Sequence, residues 1–239
     1  MEKVCYVLWK PEAGTAADFA DALLGPVVER IARISRGPLS LLVTDAAAEA
    51  VAKARIQRTT PAVAGMLSLW LDSVDARGAV EDALSPATAR HAGFLVTESV
   101  PVENRTHRAP LGQRTPGITM LSLLEKPERL SQDEWIRIWH EHHTPLAMEI
   151  QCTYLYVRNV VVRPLTPGAP PWAGLVEEGF PTEAVTNPML WYEAGGSPEK
   201  LRENLGRMLA SVRAFLDIER VESLPMSEWL LRDWSGSHV

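Results

Sequence analysis

Three of the six histidines in this chain fall within four consecutive positions, in the stretch S-Q-D-E-W-I-R-I-W-H-E-H-H-T-P-L from Ser131 to Leu146. An imidazole titrates near neutrality, so histidines set among apolar neighbours are candidates for acid/base chemistry. Ser131 and Glu134 have the S-x-x-E spacing of a capping box, which predicts a helix starting there. At ~100° per residue, with Trp139 at zero, Leu146 and Ile150 fall within about 20° and Trp135 and His143 within about 40°. His143 is therefore the candidate catalytic acid/base, with Trp139 as a substrate contact beside it. His142, about 60° away on the other side, is expected at the helix–sheet seam, and His140, near 100°, on a solvated flank. Both are candidate supporting residues. An ionisation on the order of pH 5.5–7.5 is expected from His143.

Other groups could complete such a site. Glu177 and Glu178 are adjacent in a predicted strand, so they face opposite sides of it. Whichever faces inward would pair with His143 and raise its pKa; the alternative is solvated charge on an edge strand. Tyr154 and Tyr156 alternate onto one face of another strand, with Tyr6 on an equivalent strand. Phenols there suit an enol or phenol substrate, or ordinary sheet packing. His140 and His143 are three residues apart and could share an ion, but no H-E-x-x-H pattern supplies a third ligand, so no metal is expected. Gly195-Gly196 lacks phosphate-loop spacing, and Ser211 lacks the G-x-S-x-G context of a hydrolase.

The elements that would position these residues are written twice. An apolar run ending in Lys-Pro-Glu occurs at Lys10 and again at Lys126, 116 positions on. The same offset carries Thr15 to Ser131, Asp18 to Glu134, Phe19 to Trp135 and Leu23 to Trp139. Second strands are predicted over 39–44 and 152–163, third strands over 65–72 and 174–180, and fourth strands over 93–102 and 221–232. Second helices are predicted over 74–84 and 198–216, the latter capped by Ser197 with Pro198 at its first position. The order β-α-β-β-α-β, twice, is the split βαβ unit. The expected architecture is α+β: residues 1–103 as a degenerate ferredoxin-like repeat, 104–116 as a linker, and 117–239 as the repeat carrying the site. The bare face of each sheet must be buried, so the repeats are expected to close into an α+β barrel around a central cavity. A proline-rich excursion over 164–171 would reshape one mouth.

The copies differ where chemistry would occur. His143-Thr144-Pro145-Leu146 ends the helix in the second copy, and Leu24-Gly25-Pro26-Val27 stands in the first. That substitution predicts one functional half and one that completes the fold. With its strand and Lys-Pro-Glu, this tryptophan-bearing helix ending His143-Thr144-Pro145-Leu146 resembles the EthD family. The hallmark of that family is a tryptophan followed by H-x-P-L on a helix of a dimeric α+β barrel. Residues 118–232 match best, and the first copy resembles a degenerate repeat. The resemblance implies small apolar, aromatic or polyketide-like substrates and no bound cofactor. It maps the motif histidine onto His143. Relatives are described as decarboxylases, dehydratases or participants in oxidative degradation.

Composition narrows the rest. The 239 residues are 46% hydrophobic with a net charge of −6, enough for real cores and unfavourable for nucleic-acid binding. Cys5 and Cys152 are expected as free thiols. The opening residues lack a signal-peptide pattern, and no run approaches the ~18 apolar residues of a membrane span. The expectation is a cytoplasmic homodimer acting on a small hydrophobic molecule through His143, as a lyase, dehydratase or isomerase. The alternatives are an oxidoreductase or accessory of an oxidative pathway, and a binding protein for an apolar metabolite.

Overall fold

The computed structural model describes residues 1–235. Eight strands are present: β1 (Glu2–Trp9), β2 (Arg36–Val43), β3 (Gly65–Leu71) and β4 (Arg90–Val102) in the first half, then β5 (Ile118–Leu124), β6 (Leu155–Pro164), β7 (Gly174–Phe180) and β8 (Glu222–Arg232) in the second. The chain is α+β, two ferredoxin-like βαββαβ units whose strands form one closed barrel in the order β1-β3-β2-β8-β5-β7-β6-β4. Every pairing is antiparallel, and the halves are sewn together by β2 with β8 and by β4 with β6.

Lys-Pro-Glu does the same local work in both halves. Lys10 Nζ donates to the carbonyls of Pro11 (2.6 Å) and Gly14 (2.7 Å), and Lys126 Nζ to those of Pro127 (3.2 Å) and Leu130 (2.6 Å). Each lysine folds the turn that delivers the chain to a capping box, Thr15 with Asp18 and Ser131 with Glu134. The helices that follow share an irregularity. Ala16–Ala22 kinks at Gly25, within Leu23–Val27, before continuing as Val28–Ile34, and Gln132–Arg137 passes through a π turn at Ile138–His143 into Thr144–Ile150. Pro26 and Pro145 explain it. A proline has no N–H to donate and its ring crowds the carbonyl four residues back, and a kink or a wide turn absorbs both.

Alternation along each strand sorts its side chains. Val4, Tyr6 and Leu8 face outward onto the first helix around Phe19 and Leu23. Cys5, Val7 and Trp9 face inward and meet Leu121, Leu123, Leu224 and Met226 of the other half. The barrel is therefore a packed core where an open central cavity was expected. The excursion before β7 plugs one end: Trp172 stacks on Trp9 at 6.0 Å and tilts against Phe94 at 5.8 Å. Toward the other end the interior turns polar. Lys3, only 5% exposed, pairs with Glu98 and donates to Asn159 Oδ1 at 2.8 Å; Asn159 Nδ2 in turn donates to Glu177 Oε1 at 2.9 Å. Lys3 and Glu98 come from the first half, Asn159 and Glu177 from the second.

Most expected elements stand within a few residues of their predicted bounds. The exceptions have local causes. β6 begins at Leu155, beyond Cys152, because the Cys152 N–H is taken by the Trp191 carbonyl at 3.1 Å. The short second helix of the first half opens with a 3-10 turn, Val74–Arg77, before Gly78–Leu84. Both cysteines are free, Cys5 inside the barrel and Cys152 half-buried. Among the described residues no helix is long and apolar enough to cross a membrane.

Lys3→Met should strand the buried Glu177 carboxylate and lower unfolding free energy by about 3–5 kcal/mol. Adding Glu177→Gln should recover a good part of that loss. Urea midpoints of the three proteins check it.

Candidate functional site

The second half leaves a gap between its helices and its sheet. Its helices cover the outer face of β5, β7 and β8, and between them lies a cavity of about 170 Å³. His143 and Phe215 line it on the helical side, Tyr156, Glu178 and Ser223 on the sheet side, with Gln151 at one end. This space is outside the barrel. The expected central cavity is corrected accordingly: helices pack only on the outer faces, so a helix-borne histidine cannot reach the interior.

The π turn decides which residues point at the sheet. Trp135 and Trp139 are four apart and both fully buried, their rings 4.9 Å apart and tilted. Trp139 lies against Gly174, the first residue of β7, where an added Cβ would come within 2.8 Å of its ring. Five residues beyond Trp139, Thr144 takes the inward position, its Oγ1 3.5 Å from the Tyr156 hydroxyl. Trp139 Nε1 also donates to that hydroxyl at 3.5 Å. His143 is turned toward the long helix Pro198–Phe215. Its Nδ1 lies 3.0 Å from Ser211 Oγ, and its ring packs on Phe215 at 4.7 Å. Among the described residues, Nε2 of His143 has no protein partner.

Electrostatics separate the two titratable groups. Burial pushes His143 down to about 4, so it is neutral at physiological pH. No carboxylate raises it, contrary to the pairing expected from the sequence. Burial pushes Glu178 up to about 7. Register places Glu178 between Met120 of β5 and Tyr156 of β6. Among the described residues its carboxyl has neither a hydrogen bond nor an ion pair. Burial and then the Glu178 charge raise the Tyr156 phenol, which stays protonated, and Tyr192 is raised by the same two causes. The group poised near neutrality is thus Glu178 rather than His143.

The remaining candidates fall elsewhere. Glu177 faces into the barrel beside Asn159, where burial holds its carboxyl above the usual range despite Lys3. Tyr154 precedes β6 and packs against the linker. Its hydroxyl donates to the Pro116 carbonyl at 2.8 Å, and its ring stacks on His107 at 4.0 Å. The flanking histidines exchange their expected places. His142 is exposed, near Arg137 at 3.5 Å. His140 is half-buried edge-on to Trp139, its Nε2 unpartnered, and burial and then the Arg158 charge push it down to about 4. The extra residue of the π turn, invisible to a regular helical wheel, rotates them. The sequence reading missed Thr144, Gln151 and Tyr192 as site residues, and dismissed Ser211 as a nucleophile without seeing it as a partner for His143. A signal existed for that last residue: Ser211 and Phe215 are one turn apart on the apolar stripe of Met208 and Val212. No group of three or more His, Cys, Asp or Glu among the described residues is arranged to hold a metal ion.

The first half does not repeat this arrangement of side chains. Leu24, half-buried, packs against the first-half core, and Leu69 occupies the position in β3 that Glu178 has in β7, counting from Gly65 and Gly174.

No family model matches this chain, and no curated protein matches its sequence. Among solved structures it superposes on an anthrone oxidase-like protein with a TM-score of 0.52 at 10% identity, over 95% of this chain and 92% of that one. It superposes on a candidate monooxygenase of Fusobacterium nucleatum with a TM-score of 0.50 at 10% identity, over 98% and 94%. At such identity the likeness establishes the shared α+β barrel fold.

Glu178 keeps its proton in the folded state at pH values where the unfolded chain has released it. Its contribution to stability is therefore full below about pH 4.5 and lost as pH rises through about 7. His143 acts in the opposite sense, losing stability as pH falls from 6.5 toward about 4. Glu178→Gln should gain roughly 1–3 kcal/mol relative to the parent protein between pH 5 and pH 8, read from urea midpoints at the two pH values.

Proposed function

We propose that this chain is an EthD-like enzyme that moves a proton on a small hydrophobic molecule bound between the second-half sheet and its helices. The observation that carries the reading is the unpartnered Glu178 carboxyl, held near neutrality and facing a cavity whose opposite wall is a neutral histidine. A carboxyl at about 7 is matched to accept or return a proton at physiological pH. His143, oriented by Ser211, presents Nε2 as a hydrogen-bonding group or second base. Tyr156, kept protonated, can donate to a carbonyl or enolate oxygen. Glu178 takes a proton from an acidic C–H or O–H, the anion rests on Tyr156 and His143, and the proton returns elsewhere on the molecule. That is isomerase chemistry; if the anion instead expels a neighbouring hydroxyl, the C–O bond breaks, the proton leaves with it as water, and the reaction is a dehydration, and neither step calls for a bound cofactor or metal.

A second reading is oxidation. It draws on the names of the two superposed structures, and on the fact that deprotonation of a phenol or enol is equally the first step toward giving its electrons to dioxygen. If the protein forms a homodimer, the contact must use the helical exterior or loops, because every edge of the barrel is already paired.

kcat/KM should follow one ionisation near pH 7 that disappears in Glu178→Gln, with at least a 10²-fold loss. His143→Ala should also lose activity while the fold is kept, whereas Leu24→Ala, at a half-buried position, should cost stability by roughly 1–2 kcal/mol at unchanged turnover. A profile flat from pH 5 to 9 with ligand still bound would leave a binding protein. Oxygen consumption matched to substrate loss would select the oxidative reading.

A further inference from the structure

Tyr156 meets the cavity with a hydroxyl that already has two neighbours behind it. Trp139 Nε1 and Thr144 Oγ1 each lie 3.5 Å from its oxygen. Thr144 is buried, and among the described residues its Oγ1 has no backbone partner, although a helical threonine ordinarily bonds a carbonyl one turn back. Its second contact is Arg158, whose Nη1 donates to Oγ1 at 3.3 Å. Arg158 shares the outer face of β6 with Tyr156, two residues on, and its Nε donates to Ser99 Oγ of β4 at 3.0 Å. Ser99 belongs to the first half, which thus holds the guanidinium in place. Burial disfavours the Arg158 charge, and no carboxylate among the described residues offsets it.

The inventory of donors fixes a direction. Guanidinium and indole N–H groups can only donate. Arg158 therefore donates to Thr144, Thr144 turns its own proton to Tyr156, and Trp139 donates to Tyr156 as well. The phenol oxygen accepts from both, so its single proton must leave on the remaining side. Glu178, the cross-strand neighbour of Tyr156, does not accept it, since its carboxyl has no hydrogen bond. The proton is left to the cavity that Tyr156 lines. Contacts of 3.5 Å are long for resting hydrogen bonds, and such bonds shorten when the accepting oxygen gains charge.

We propose that Thr144 and Arg158 are positioning residues, which hold Tyr156 as an obligatory donor to the ligand and set a positive charge behind it. A ligand must then place an acceptor oxygen, not a hydroxyl proton, against Tyr156. As negative charge grows on that oxygen, the chain Arg158–Thr144–Tyr156 polarises toward it, and no proton leaves the guanidinium. The inference rests on the reading of Tyr156 as the donor in the proposed reaction and adds the residues that act through it. The other titratable groups around Tyr156 are Glu178 on β7 and, on the helix, His140 and His143, both neutral at physiological pH.

The test needs no substrate. The chain has four tyrosines, so protein labelled with tyrosine fluorinated on both ring carbons beside the hydroxyl gives four fluorine NMR signals, and Tyr156→Phe identifies one of them. Fluorination acidifies the phenol and brings its ionisation within reach of a pH titration. Thr144→Val should raise the Tyr156 midpoint by about one pH unit, because the phenolate loses a donor, and Arg158→Met should raise it by a similar amount. Thr144→Ser should keep the parent midpoint. Unmoved Tyr6 and Tyr154 signals show that the fold is intact in each variant. The Tyr156 signal of the parent should also carry a step near pH 7 as Glu178 ionises, absent in Glu178→Gln. Midpoints unmoved by Thr144→Val and Arg158→Met overturn the proposal, as does a serine variant that behaves like valine or a parent Tyr156 that ionises only on unfolding. If the step near pH 7 is present in that case, Glu178 stands as the poised carboxyl and only the positioning falls. If the midpoints move and the step is missing, the positioning stands and the reading of Glu178 falls.

Discussion

Everything in this molecule depends on covering the bare face of a βαββαβ sheet. Each unit has helices on one side only, and the other side carries Val, Leu, Phe and Trp that must leave water. The two halves solve this together by facing each other and joining at β2–β8 and β4–β6. Closure removes every free strand edge and fills the interior with side chains from both units. It also brings Lys3 and Glu98 against Asn159 and Glu177, a network that neither half could satisfy alone. Buried charges of this kind hold only when every member finds a partner, so the polar end of the barrel fixes the register of the two halves.

A packed barrel leaves the sheet–helix layers as the place for a small-molecule cavity. In the first half that layer is filled: Tyr6 reaches Glu81, and Leu69 and Leu24 pack where the second half has polar groups. In the second half a glycine at the start of β7 lets Trp139 lie against the sheet, and the π turn before Pro145 swings His143 onto the long helix. The space left behind is walled by Glu178 and Tyr156. One burial effect acts oppositely on the two titratable walls, since removing water disfavours the charged form of each: the imidazole is pushed below neutrality and the carboxyl up to it. The separation arises without any direct bond between the two groups.

The sequence by itself determined a good deal. The Lys-Pro-Glu turns, the two capping boxes and the alternating strands are local features, set by neighbours within a few residues, and they read directly as a doubled βαββαβ chain. The closed α+β barrel followed from hydrophobic faces that had to be buried. The difference between the halves was legible in His143 against Leu24, and Trp139 and Tyr156, expected beside His143, line the same cavity with it.

Tertiary structure decided the rest, for reasons no spacing rule contains. A single extra residue in the π turn shifted every later position, exchanging the environments of His140 and His142 and placing Thr144 inward. Strand alternation required Glu177 and Glu178 to face opposite sides, but only barrel closure fixed which one entered the core and which met the cavity. Tyr154 was lost to the linker because His107 and Pro116, far away in sequence, came to lie on it. The pKa values depend on how much water each group loses, a property of the assembled layers.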